Sequence, residues 1–203
     1  MAPLFNPRAP LPWLKPGLWL GSLVPAAALG VAAFRGTLGA NAVERALNQL
    51  GLLALTFLVA SLACTPLNSV LGWKWPVRVR RMVGLFAFFY AVLHFSVYVG
   101  LDQGFDLTVL WEDVTQRKFI AVGFAALVLM VPLALTSTNA MVRRLGYPRW
   151  KRLHRLAYAS GVLAAVHFLW RVKADLSKPL LYASALGLLF LIRLGTWLRR
   201  APR

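Results

Sequence analysis

Six stretches of this chain are apolar over a length that can cross a lipid bilayer, and little sequence remains outside them. The hydrocarbon core of a bilayer is about 30 Å thick, so a helix needs roughly 20 apolar residues to cross it. The chain has 203 residues, of which 59% are hydrophobic and 14% charged, and a soluble domain of this size carries far more charge. The predicted spans are residues 17–34, 46–64, 82–100, 119–135, 153–170 and 179–198.

These spans predict an all-α fold, an integral membrane bundle of six transmembrane helices that forms a single domain over residues 1–203. They leave no room for a soluble catalytic domain. We expect the first stretch to be kept as a span rather than removed as a signal peptide, because the segment before it is proline-rich and weakly basic. Pro66 is expected to end the second span, and Arg193 is expected to extend from the sixth span to the membrane surface.

The charge pattern predicts an orientation in the membrane. A net charge of +17 is compatible with nucleic-acid binding, but the basic residues lie in short loops between spans, which is typical of topology signals and contact with anionic lipids. With both termini on one side, that side holds 16 of the 23 Lys and Arg residues, so the termini are predicted to be cytoplasmic. All six acidic residues fall on the outer side, namely Glu44, Asp102, Asp106, Glu112, Asp113 and Asp175.

The loop before the fourth span is anionic, and we expect it to help dock a partner on that side. It contains Asp102, Asp106, Glu112 and Asp113.

All three histidines of the chain, His94, His154 and His167, lie within predicted spans. An ionisable side chain in hydrocarbon is costly and marks a functional site by default. The third and fifth spans run in the same direction, and 13 residues of helix rise about 20 Å. His94 and His167 should therefore lie at a similar depth toward the outer leaflet, and His154 near the inner surface, level with Arg80 and Arg81.

This depth match predicts that His94 and His167 are the axial ligands of one haem. The chain contains a single cysteine, Cys64, and no C-x-x-C-H motif, so such a haem would be b-type and held without covalent bonds. The alternative is a pair of interhelical hydrogen bonds. His154 is either a ligand of a second, inner haem or an interfacial histidine that contacts propionates or lipid head groups. On a regular helix His154 and His167 would lie about 140° apart, so they share a face only if the helix is distorted.

Basic side chains near the histidines are candidate contacts for haem propionates, because guanidinium groups bind carboxylates bidentately. Topology signalling and extension to the membrane surface remain the other interpretation for each of them. The candidates are Arg80, Arg81, Arg152, Arg155 and Arg171. A denser basic patch before the fifth span could hold a phosphate, such as that of FMN, or lipid head groups. It consists of Arg143, Arg144, Arg149, Lys151 and Arg152.

Three stretches of the chain resemble the MsrQ (YedZ) family, which provides the haem-binding membrane subunit of bacterial protein-methionine-sulfoxide reductase systems and belongs to the ferric-reductase-like transmembrane superfamily. They are RRMVGLFAFFYAVLHFSVY, LTSTNAMVRRLGYPRWKRLHRLAYASGVLAAVHFLWRVKAD and PLLYASALGLLFLIR. The resemblance is strongest over residues 73–193, and its second stretch is much more specific than any histidine pair.

The resemblance implies an electron-transfer subunit of the inner membrane rather than a catalytic subunit. It implies one or two haem b groups, FMN, electrons from the quinone pool or a cytosolic flavin reductase, and a periplasmic molybdopterin-containing partner that repairs methionine sulfoxide in oxidised proteins. His94, His154 and His167 carry over as the family's functional histidines. Arg80 stands where related eukaryotic oxidases have a fourth histidine, which leaves an inner site with unusual ligation as a hypothesis.

Two other functions remain open from the sequence. The first is a quinol- or ferric-reducing cytochrome b that acts without the methionine-sulfoxide partner. The second belongs to a different class, a haem-free membrane transporter or assembly factor whose histidines only bridge helices.

Overall fold

The computed structural model describes residues 13–199, and every regular element in that part of the chain is helical. The outermost parts of the predicted domain, residues 1–12 and 200–203, lie outside the described residues. The helices are α1 (Leu14–Phe34), α2 (Ala42–Leu71), α3 (Trp75–Val97), α4 (Leu107–Gln116), α5 (Lys118–Leu135), α6 (Asn139–Leu145), α7 (Tyr147–Leu153), α8 (Leu156–Arg171) and α9 (Ser177–Leu198), and a π-helical turn, Tyr98–Asp102, continues α3.

Five of the described helices are long and apolar enough to cross a membrane, namely α1, α2, α3 with its π-helical turn, α5 and α9. The all-helical membrane fold agrees with the prediction, but the count of six spans is not confirmed. The difference lies in the predicted fifth span, because α8 has only 16 residues. The long helices expose apolar side chains such as Leu191, which is 66% exposed, as expected for a surface that faces lipid.

The predicted fifth span is interrupted near its start. His154 ends α7, and α8 begins two residues later. Between them the chain makes a tighter turn, in which the amide of Tyr158 donates to the carbonyl of Arg155, three residues earlier, at 3.0 Å. The predicted start at residue 153 is therefore wrong by three residues. The distortion that the spacing of the two histidines requires lies at His154 itself.

Helix α2 continues through Pro66 to Leu71, so the prediction that Pro66 ends this span is wrong. Proline has no N–H to donate to the carbonyl four residues earlier, which is that of Leu62. The Nη2 of Arg193, on α9, donates to this carbonyl oxygen instead, at 2.7 Å. A side chain from a neighbouring helix thus replaces the backbone hydrogen bond that proline removes.

Arg193 does not extend to the membrane surface as predicted. Its side chain is half-buried among α2, α8 and α9, its Nη1 donates to Tyr158 Oη at 2.6 Å, and its guanidinium carbon lies 4.9 Å from the centre of the Tyr158 ring. The polar partners inside the bundle satisfy the guanidinium more fully than apolar lipid chains would. Arg193 consequently links three helices.

Two helix pairs form the centre of the bundle: α2 packs along α3, and α5 packs along α8. Two cavities lie among these helices, one toward the connection between α3 and α5 and the other toward α7. Leu58 and Met130 line both cavities and are buried in one apolar cluster with Leu62 and Ala87. This cluster separates the two cavities, which we call the outer and the inner cavity.

The connection between α3 and α5 contains a buried carboxylate. Asp113 on α4 is 5% exposed, accepts a hydrogen bond from Tyr98 Oη at 2.6 Å and pairs with Arg117 at 3.1 Å. Asp102 and Glu112 are exposed. The expectation that Asp113 forms part of an anionic docking surface is therefore wrong, because its charge is used within the fold.

Candidate functional site

The outer cavity contains the two histidines that the sequence predicts to meet. His94 on α3 and His167 on α8 both line this space of about 410 Å³. Their ring centroids are 6.4 Å apart and their planes are inclined by 79°. Bonds of about 2 Å from a metal to each of two imidazoles would place the ring centres about 6 Å apart. The observed spacing therefore fits two imidazoles that share one metal ion.

Backbone carbonyls hold both imidazole rings in the tautomer that leaves Nε2 available to bind a metal. His94 Nδ1 lies 2.9 Å from Leu47 O, and His167 Nδ1 lies 2.7 Å from Phe119 O. A carbonyl oxygen only accepts, so each Nδ1 carries the proton and each Nε2 is left with a free lone pair. Metal-bound histidines use this arrangement, in which the second nitrogen orients the ring.

A glycine one helical turn after each of these carbonyls lets the ring approach the backbone. A Cβ atom on Gly123 would lie 2.5 Å from His167 Nδ1, and one on Gly51 would lie 3.2 Å from His94 Nδ1. The same unit therefore occurs twice, a carbonyl at position i that binds the ring and a glycine at position i+4. It consists of Leu47 and Gly51 on α2, and of Phe119 and Gly123 on α5. The sequence interpretation missed both units, and the only signal for them is a glycine within each span.

Charged residues line one end of the outer cavity. Arg171, predicted as a propionate contact, lies there with its Nη2 3.8 Å from Glu44 Oε1. Arg117, which the sequence interpretation did not single out, also lines this end, beside Asp102. Two guanidinium groups and two carboxylates therefore surround this end of the cavity.

The inner cavity has a volume of about 380 Å³ and contains the third histidine. The structure brings His154 together with Arg80, Arg81 and Arg155, as the sequence predicts, whereas Arg152 is exposed and lines neither cavity. Arg80 Nη1 donates to Thr65 Oγ1 at 3.0 Å, and Arg81 Nη1 donates to Asn139 Oδ1 at 2.7 Å. The described residues that line this cavity include Lys151 and Arg193 and no Asp or Glu.

His154 is held against Trp150. The two rings are stacked with their centroids 3.9 Å apart, and His154 Nδ1 lies 3.1 Å from Trp150 O. Trp150 is buried, and its Nε1 donates to Thr136 O at 2.9 Å. Trp150 is therefore part of the bundle interior rather than of the membrane surface, where tryptophans at span ends usually lie. Among the residues that the structure describes, His154 Nε2 is buried and has no hydrogen-bond partner.

The donor set fits a haem better than a bare metal ion. Within residues 13–199, no group of three or more His, Cys, Asp or Glu side chains is placed to hold a metal. Two imidazoles do not complete the coordination shell of a transition metal, so the bound group has to bring further ligands, as a porphyrin does. The volume of the outer cavity and its largely apolar lining suit such a planar ligand.

Comparison with known proteins first gives the class. The family model described as the ferric reductase like transmembrane component matches residues 46–165, which is more than half of the chain and includes α3, α5 and most of α8. The chain therefore contains a ferric-reductase-like transmembrane component over residues 46–165.

Curated relatives narrow the class to one family. A protein of Rhodospirillum rubrum is 51% identical over 183 residues, which cover 90% of this chain and 88% of the relative. One of Deinococcus radiodurans is 52% identical over 187 residues, 92% of each chain, and one of Ralstonia nicotianae is 42% identical over 205 residues, 100% of this chain and 94% of the relative. All three are named protein-methionine-sulfoxide reductase heme-binding subunit MsrQ. The chain belongs to the MsrQ family, which confirms the resemblance found in the sequence.

Proposed function

We propose that this protein is a haem b electron-transfer subunit that carries electrons across the membrane to a methionine-sulfoxide reductase. The observation that carries the proposal is the 6.4 Å approach of the His94 and His167 rings, with both Nδ1 atoms bound to carbonyls. A b-type haem supplies a one-electron carrier inside the hydrocarbon. The two histidines would bind it through Nε2, Leu47 and Phe119 orient the rings, and Arg171 would bind a propionate.

His154 is the proposed imidazole ligand of a second haem in the inner cavity. Its place in the lining of the inner cavity together with Arg80 and Arg81 supports this role. Arg80, Arg81 and Arg155 are the proposed contacts for the propionates of this haem. Arg152 is proposed as part of the basic patch that contacts lipid head groups or the phosphate of FMN.

The proposed location is the bacterial inner membrane, with both termini in the cytoplasm and α8 as a sixth span. Sixteen residues of helix rise about 24 Å, and α8 packs against α2, α5 and α9, so it does not need to match the bilayer by itself. The excess of Lys and Arg in alternate loops supports this orientation. It places the outer cavity near the periplasm and the inner cavity near the cytoplasm.

The proposed partners follow from the names of the relatives and from this orientation. Electrons would enter from the quinone pool or a cytosolic flavin reductase, near the inner cavity. They would leave near the outer cavity to a periplasmic molybdopterin-containing methionine-sulfoxide reductase, which reduces oxidised periplasmic proteins. In this proposal the catalytic chemistry belongs to that partner, and this chain supplies electrons.

The test is spectroscopy of the full chain purified from cells with ample porphyrin supply. We expect a Soret band, an α-band after reduction with dithionite, and haem that is reoxidised by the periplasmic partner in the presence of methionine sulfoxide. A colourless protein would contradict the haem function. Haem that reduces ferric chelates but is never reoxidised by the partner would favour the stand-alone reductase instead.

A further inference from the structure

The connection between α3 and α5 exposes large apolar side chains and carboxylates within a few residues of each other. Phe105 is 71% exposed and Trp111 is 70% exposed, and Leu101 and Leu107 are exposed to a similar degree. We call these four residues the outer apolar surface. Charged side chains are rare where a protein faces hydrocarbon, so we expect this surface at the water-facing end of the bundle. The exposed carboxylates among its residues are Asp102, Asp106 and Glu112.

The orientation of α4 directs part of this surface away from the bundle. Asp113 is buried on the inner side of α4, where Tyr98 Oη donates to it at 2.6 Å, and Val114 lines the outer cavity. Successive residues of a helix are turned by about 100°, so Trp111 lies about 160° around α4 from Asp113. Leu107, one turn before Trp111, lies on the same side. Helix α4 therefore contributes one side to the outer cavity and exposes apolar side chains on the other.

Phe105 is held in a turn that an aromatic residue rarely adopts. Its φ of 64° lies in the left-handed region, directly after Gly104 at 59°, and this conformation is unfavourable for a bulky residue. The amide of Phe105 donates to Val99 O at 2.8 Å, and its ring lies against Gly100, where a Cβ atom would meet it at 3.1 Å. Most of the ring is exposed, so burial does not offset the strain. Strained residues of this kind cluster at functional positions.

The charge of this part of the chain indicates the chemistry of its partner. Residues 98–116 contain four carboxylates and no Lys or Arg, in a chain of net charge +17. Anionic lipid head groups are repelled by such a segment, whereas the basic loops elsewhere attract them. Exposed aromatic side chains with charged groups around them are typical of protein–protein interfaces. The complementary face is an apolar depression that is bordered by Lys and Arg.

We propose that the outer apolar surface is the docking site for the periplasmic methionine-sulfoxide reductase. Phe105 and Trp111 insert into an apolar depression of that protein, and Asp102 and Glu112 face basic side chains at its edge. This inference rests on the proposed function and adds the residues that hold the partner. Because Asp102 also lines the outer cavity, a protein bound here lies beside the cavity from which electrons would leave.

The experiment measures the Kd of the purified reductase for the full-length chain in phosphatidylcholine nanodiscs. Phe105→Asn removes the ring and keeps a residue that tolerates a positive φ, and Trp111→Ala removes the indole. We expect each to raise Kd about 30-fold, the effect of truncating an aromatic anchor, with Tm and the Soret band unchanged. Trp197→Ala, at an exposed tryptophan on the opposite predicted side, should match the wild type. The wild-type Kd should rise with salt, because the edge of the surface is charged.

The environment of the surface is measured without the partner. A nitroxide attached to Trp111→Cys in a Cys64→Ser background reports whether this position lies in water or in lipid. We expect the nitroxide to be more accessible to a water-soluble nickel chelate than to oxygen, which concentrates in the hydrocarbon. This result would agree with a surface that is open to a soluble protein.

Three results would overturn the inference. A wild-type Kd in both Phe105→Asn and Trp111→Ala would show that the reductase docks elsewhere. Greater accessibility of the nitroxide to oxygen would assign the surface to lipid. A wild-type dimer that both substitutions dissociate, measured by analytical ultracentrifugation, would assign the surface to a second copy of the chain. The proposed haem function fails separately, through the absence of a Soret band in the wild type.

Discussion

The two cavities are built on the same helices, yet they differ in how they could hold a ligand. In the outer cavity two imidazoles face each other, each supported by a carbonyl and a glycine from the helix behind it. In the inner cavity a single imidazole stands opposite arginines. The comparison teaches that one bundle can bring two imidazoles together in one half and collect basic side chains in the other. Each half can therefore be disrupted independently.

The largest effect is expected for the outer ligands. His94→Ala and His167→Ala each remove one of two axial nitrogens, and we expect loss of the outer haem or a change from low-spin to high-spin spectra. His154→Ala should leave that haem unchanged. Haem content and electron paramagnetic resonance measure both. Ser96→Ala, at an exposed site on α3, is the control, and full low-spin haem in both histidine variants would refute the pair.

The glycine units predict a graded effect at the same site. Gly123→Ala places a Cβ atom 2.5 Å from His167 Nδ1, whereas Gly51→Ala places one at 3.2 Å from His94 Nδ1. We expect Gly123→Ala to displace the ring and lower haem retention several-fold, and Gly51→Ala to have a smaller effect. The amount of haem that each variant releases on heating measures this loss of retention. Gly187→Ala meets no atom within 4 Å and should be neutral; equal behaviour of all three variants would contradict the proposed fit.

Near α4, Tyr98 and Arg117, which line the outer cavity, both bind the buried carboxylate of Asp113, whereas the inner cavity has no carboxylate among its described lining residues. Tyr98→Phe removes the bond from Tyr98 Oη to the buried Asp113, which keeps its pairing with Arg117. Since hydrogen bonds to charged groups contribute about 1.5–3 kcal/mol, we expect a lower Tm with unchanged haem ligation. Thermal unfolding followed by circular dichroism, together with the Soret band, tests this. A shifted Soret maximum at unchanged Tm would show instead that Tyr98 acts on the haem.

The smallest effect concerns docking at the outer face. Asp102→Lys and Glu112→Lys together reverse two exposed charges, and we expect electron delivery to the periplasmic partner to slow several-fold at low salt and less at high salt. Asp175 belongs to the same predicted side, and hydrogen bonds from Ser177 hold the pKa of Asp175 below its usual range. Arg149→Glu, on the opposite predicted side, is the control. Unchanged delivery at low salt would exclude this surface.

The sequence predicted that His94 and His167 lie close together, because parallel spans of known rise leave few alternatives, and the rings lie 6.4 Å apart. It also placed Arg80 and Arg81 level with His154. It could not predict the carbonyls of Leu47 and Phe119, because every residue has a carbonyl and only packing decides which one a ring meets.

The errors at Pro66 and Arg193 have one common cause. Proline disfavours the interior of a helix and arginine disfavours burial. Considered alone, Pro66 therefore predicts the end of a helix and Arg193 a side chain that extends to the surface. In the structure Arg193 donates to the carbonyl of Leu62, 131 positions away in the chain, which Pro66 leaves without a backbone donor. A single sequence carries no signal for such a distant match.

The apolar cluster around Leu58 and Met130 also bears on how charge could move across the membrane voltage. The side chains of Leu58, Leu62, Ala87 and Met130 carry no group that could bind or relay a proton. An electron that crossed this cluster would therefore move with or against the transmembrane voltage without a proton passing along these side chains.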